Sequence, residues 1–177
     1  MKRKKSRQFS AVILVFGLLV TSCNNSSEKP TTNSTNTETI NQKTMENDRL
    51  INFGNQYAAA WCSQKPESVA AYFSSTGSLS VNANAPAVGR EAIAKVAAGF
   101  MTAFPDMIVN MDSLVTNSNG TAFHWTLTGT NTGPGGTGNK IKISGFELWQ
   151  IDTAGLIIES KGSFDAEEYN RQLGEKK

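Results

Sequence analysis

The sequence predicts an α+β fold, with helices laid on one face of a curved, mostly antiparallel sheet. Two observations lead there: apolar residues recur at three- and four-residue steps in the first half, and alternate with polar ones in the second. Leu50, Phe53, Tyr57 and Trp61 place one apolar stripe on a first helix. Pro66 suits the first turn of a short second helix with Val69, Ala70 and Phe73 as its apolar contacts. Ile93, Val96, Ala97, Phe100 and Phe104 form a third stripe, ended by Pro105. Beyond it Met107, Val109 and Met111 alternate, Asn117 to Gly120 is a turn cluster, and Phe123, Trp125 and Leu127 alternate with His124, Thr126 and Thr128. Strand-like runs follow at 140–151 and 156–164, joined by Asp152-Thr153-Ala154-Gly155. Gly145 interrupts the first of these and predicts a bulge. Helices against a curved sheet leave room for a cavity between the layers.

The N-terminal segment reads differently. Five basic residues lie between Met1 and Arg7, and an apolar stretch runs from Phe9 to Val20. A bilayer core needs about 20 apolar residues, so the stretch is short for a span and fits an export signal over residues 1–22. It ends Val20-Thr21-Ser22-Cys23, a run resembling the lipobox of bacterial lipoproteins, whose cysteine is acylated. The expectation is a chain lipidated at Cys23 and held on a membrane in the cell envelope, at the outer membrane or its periplasmic side. Residues 23–41 are rich in Ser, Thr and Asn and read as a tether. The globular domain is expected from Gln42 to Gly174, with a short tail over 175–177.

Charge follows the same division. The chain has 17 basic and 15 acidic residues. Removing the five basic residues of the signal leaves 17 − 5 = 12 against 15, a net charge of −3. That balance gives no ground for a nucleic-acid partner. With Cys23 acylated, Cys62 is left without an internal disulfide partner and reads as a small buried hydrophobe.

Gly89-Arg90-Glu91-Ala92-Ile93 opening a helix, Phe104-Pro105-Asp106 closing it, and Trp125 with Thr128-Gly129-Thr130 on a strand form a recognisable set. Gly155 to Glu159, then Asp165, then Gln172-Leu173-Gly174 extend it. Together, over most of residues 45–174, these motifs resemble the SnoaL-like polyketide cyclase family of the nuclear transport factor 2-like superfamily. The resemblance implies a cone of sheet around a pocket, an acid/base aspartate at Asp165, and a homodimer formed through the sheet. The chain departs from it at Asn131, where many members carry histidine, and at Ser160-Lys161, where many carry His-Trp.

Asp165 is the first catalytic candidate, since a carboxyl in an apolar pocket has a raised pKa suited to proton transfer. Asp165-Ala166-Glu167-Glu168 also reads as a helix start with Asp165 as its N-cap. His124 is the single histidine and the second candidate. If Phe123 and Trp125 face the pocket, however, it points away. Trp61, Phe100, Trp125, Phe146 and Trp149 are the candidate lining of a small-molecule site. One histidine and one remaining cysteine make a transition-metal site unexpected. Gly133-Pro134-Gly135-Gly136-Thr137-Gly138 spells a dinucleotide-binding pattern, but Lys140 to Ile143 alternates as a strand where that site needs a helix; no cofactor is expected. Between Phe73 and Arg90 no carboxylate is available for steroid-type isomerisation. The expected function is binding of a small apolar molecule, with cyclase-, isomerase- or hydratase-type chemistry through Asp165. The alternative is a non-catalytic envelope module that binds a ligand or protein.

Overall fold

The computed structural model describes residues 34–174, with side chains from Ile40 onward. The export signal, Cys23 and the terminal tail lie outside the described residues. Helix α1 runs from Ser34 to Cys62, α2 from Pro66 to Ala70, and strand β1 from Phe73 to Val81. A two-residue strand β2 (Ala87–Val88) leads into α3 (Arg90–Ala103). Four long strands follow, β3 (Ile108–Asn117), β4 (Gly120–Thr130), β5 (Lys140–Ile151) and β6 (Ile157–Phe164), then α4 (Ala166–Leu173). The sheet order is β2-β1-β6-β5-β4-β3. Every pairing is antiparallel except β1 with β6, which is parallel and joins the first strand to the last. This is the nuclear transport factor 2-like cone, the mixed fold expected.

Helix α1 begins well before Gln42, so residues expected in the tether form its first turns. Residues 40–49 are all exposed, and the buried stripe begins near Leu50. From there Tyr57 and Trp61 are buried, with Phe53 half-buried against them. Gly54 lets the helix settle on β3, because a Cβ there would fall 2.5 Å from Met111 Sδ. Cys62 ends the helix with its Sγ 3.1 Å from the Val109 amide, tying α1 to β3. The thiol is half-buried and takes part in a backbone contact as well as filling space.

Helix α3 buries Ile93, Ala97 and Met101, and its last carbonyls meet Phe104, fully buried at the C-cap. The motif residues around it are architectural. Asp106 accepts both the amide and the hydroxyl of Thr130 at 2.6 Å, which fastens the chain after α3 to the end of β4. Asn131 donates to the Ala103 carbonyl at 3.2 Å and accepts from the Thr137 amide at 2.8 Å. It thus holds the glycine-rich loop on the helix end. Gly133 sits so close that a Cβ would overlap the Thr102 carbonyl.

Two strand features differ from expectation. β1 was not readable as a strand, since Ser74, Ser75, Ser78 and Ser80 give it little apolar alternation; it forms because β2 and β6 pair on its two sides. At Gly145 there is no bulge: β5 stays in register with both neighbours through that point. The glycine is there for space. A Cβ would stand 2.6 Å from the Trp125 ring and 2.5 Å from the Ser163 carbonyl. Register shifts occur instead between Met111 and Ser113, between Phe73 and Ser78, and near Gln150.

Candidate functional site

The unbroken alternation of β5 decides what faces inward. Ile141, Ile143, Glu147 and Trp149 are buried, while Lys142, Ser144 and Phe146 are exposed. A glutamate therefore points into the apolar interior, at 6 % exposure. Opposite it on β4 stands Phe123, fully buried and stacked on Trp149 with ring centroids 4.7 Å apart. Rings of this size bury about 2–3 kcal/mol of apolar surface each, so the wall behind Glu147 is firm.

One carboxylate oxygen of Glu147 gathers three donors. Ser160 Oγ donates to Oε2 at 2.6 Å, Trp149 Nε1 at 3.0 Å and Tyr57 Oη at 3.0 Å. The cluster draws on α1, β5 and β6, and both Tyr57 and Ser160 are themselves buried. None of the three donates to Oε1. Burial raises the Glu147 carboxyl above the ordinary carboxylate range, opposed by the three hydrogen bonds. The Tyr57 hydroxyl is pushed well above its usual value, first by burial and then by the neighbouring glutamate.

Beside Glu147 lies a slot of about 50 Å³ between the sheet, α1 and α3. Trp61 and Phe100 close it from the helices, while Phe123, Trp125 and Phe164 contribute from the strands. Glu147 is its only ionisable lining residue among those described. The Trp125 indole N–H is buried without an acceptor in the protein, a state that costs about 1–3 kcal/mol when nothing pairs it. The slot takes a group of a few heavy atoms and offers it aromatic walls and one carboxyl.

Of the residues singled out in the sequence, Trp61, Phe100 and Trp125 line the slot. Trp149 stands behind it, wholly buried and bonded to Glu147. Phe146 is displaced to the outer face, 39 % exposed, because its parity on β5 is opposite to that of Glu147. There it meets His124, the rings 5.9 Å apart, so His124 too lies on the outer face. Asp165 is exposed and caps α4, accepting the Glu168 amide at 2.9 Å. Its helix-start reading describes this geometry; a proton-transfer role in the slot does not. Among the described residues no cluster of three metal-ligating side chains occurs, and no helix is long and apolar enough to cross a membrane.

Residues 53–173 match the SnoaL-like polyketide cyclase family. The chain belongs to that family. Among solved structures, a putative SnoaL-like polyketide cyclase from Jannaschia sp. CCS1 superposes with a TM-score of 0.63 at 14 % identity, over 75 % of this chain and 94 % of that one. A hypothetical protein with a ketosteroid isomerase-like fold from Catenulispora acidiphila, in complex with trimethylamine, gives 0.60 at 18 % identity, over 67 % and 89 %. An epoxide hydrolase of the LEH-like type from M. tuberculosis gives 0.53 at 11 % identity, over 67 % and 84 %. At these identities the likeness is one of fold. No curated protein matches the chain. A SnoaL-like domain of this architecture is typically a small-molecule binder or a catalyst of isomerase or cyclase type.

Proposed function

We propose that this chain is a lipid-anchored envelope protein whose SnoaL-like domain binds a small, largely apolar molecule in the slot beside Glu147. The observation that carries the reading is the buried Glu147 carboxyl, held through one oxygen in an otherwise apolar space. If the bound molecule reacts, the reaction is proton transfer of the kind used in cyclisation, isomerisation or hydration, and Glu147 takes the role expected of Asp165. A carboxyl raised by burial keeps its proton at higher pH than a free one, which suits proton transfer. The Catenulispora neighbour was solved in complex with trimethylamine.

Anchoring rests on the sequence alone: the basic start, the short apolar stretch and Val20-Thr21-Ser22-Cys23. It is tested by labelling cells with a fatty-acid analogue, where Cys23→Ser should abolish the label and release the protein from the membrane fraction.

Binding is tested by native mass spectrometry of the protein purified from its own host. A retained small molecule supports the slot, and its turnover by the wild-type chain but not by Glu147→Gln supports catalysis. A second reading, a non-catalytic module working through the outer sheet face, draws on the exposure of Ile108, Val115, Phe146 and Ile158. It predicts that Glu147→Gln leaves function intact while Phe146→Ser removes it.

A further inference from the structure

The slot holds a buried carboxyl that an apolar ligand leaves without a counter-ion. Glu147 is buried, and its three hydrogen-bond donors are neutral: a phenol, an indole and a hydroxyl. Among the described residues that line the slot there is no lysine, arginine or histidine. A buried carboxylate without a counter-ion is costly, and it is neutralised either by a proton or by a cation brought from outside. The walls are suited to the second course. Trp61, Phe100, Phe123, Trp125 and Phe164 are five aromatic rings around one small space, and aromatic cages with an acidic residue attract alkylated ammonium groups through the ring quadrupole.

We infer that the ligand of the slot is a small alkylated ammonium compound whose positive charge sits against Glu147, with the aromatic residues packed about its alkyl groups. This rests on the slot being the binding site. Trp125 stands beside Glu147 on the wall of the slot. Trp125 pairs with Gly145 and Glu147 with Phe123, so the two side chains are diagonal neighbours on one sheet face, about 7 Å apart at their bases.

Choline and its neutral carbon analogue 3,3-dimethyl-1-butanol test this, because they share shape and hydroxyl and differ in the charge alone. Calorimetric titration of the full-length chain in detergent should show choline binding at least about tenfold more tightly than the analogue, with Glu147→Gln removing most of that preference. Choline carries no titratable proton. Its affinity should therefore rise with pH as Glu147 ionises; the Tyr57 hydroxyl, the other titratable group facing it, stays protonated throughout. Binding at acidic pH should also release a proton, seen as a dependence of the heat on the buffer's ionisation enthalpy. That readout needs no variant, so it survives misfolding of Glu147→Gln. Equal or tighter binding of the neutral analogue overturns the ammonium assignment and leaves the slot standing. Failure of both probes to bind overturns the assignment and the slot together.

Discussion

At the scale of single residues, Glu147 links the stability of the domain to its site. Its carboxyl is raised in the folded state, so folding takes up a proton there. Its stabilising contribution is complete below the unfolded pKa, about 4.3 for a free glutamate, and is lost as pH rises through the higher folded value. Urea unfolding between pH 4 and pH 7 should show wild type losing stability relative to Glu147→Gln as pH rises; a gap that stays constant would contradict the burial. Gly145 offers a second check. Gly145→Ala drives a methyl group into the Trp125 ring and the Ser163 carbonyl, and overpacking of this kind costs about 1–3 kcal/mol. Its urea midpoint should fall while Gly99→Ala, with open space around it, shows no such loss. Glu147 was legible in principle. Ile141, Ile143 and Trp149 share its parity, and treating both Phe146 and Trp149 as lining asked one strand to face two ways. What the sequence does not show is that Tyr57 and Ser160, far apart in the chain, converge on it.

Elements were legible in proportion to the strength of their periodicity. The stripes of α1 and α3 carry large apolar residues at helical steps, and both helices lie where the stripes put them. β3 and β4 follow their alternation, with the Asn117 to Gly120 turn between them. β1 was hidden because its serines carry no burial signal, and its place depends on partners distant in sequence. α4 shows how a family motif can be read for the wrong purpose. Asp165 caps that helix, while Glu168 pairs with Arg171 at 2.6 Å and is lowered to about 2 by that bond. Asp165→Ala should therefore cost about 1 kcal/mol of stability and leave ligand affinity in the slot unchanged. A loss of binding with the helix intact would return Asp165 to the site.

For the molecule as a whole, the proposed anchor and the packed domain are separate in sequence, and α1 spans much of the interval between them. Residues 40–49 form about 15 Å of helix whose side chains are exposed. Shortening the chain between Cys23 and Met45 should leave the melting temperature nearly unchanged, which differential scanning calorimetry would register. The parallel pairing of β1 with β6 acts in the opposite sense, binding the first strand to the last. Such distant contacts form late, since the intervening loop must be ordered first. The domain therefore has no complete interior until the ribosome has made its last strand, and Glu147 waits for Ser160 to arrive. A chain ending at Ile151 should lack the near-ultraviolet circular dichroism of packed aromatic rings. If the chain is exported as proposed, that delay is useful: a nascent chain slow to close on itself stays threadable during translocation.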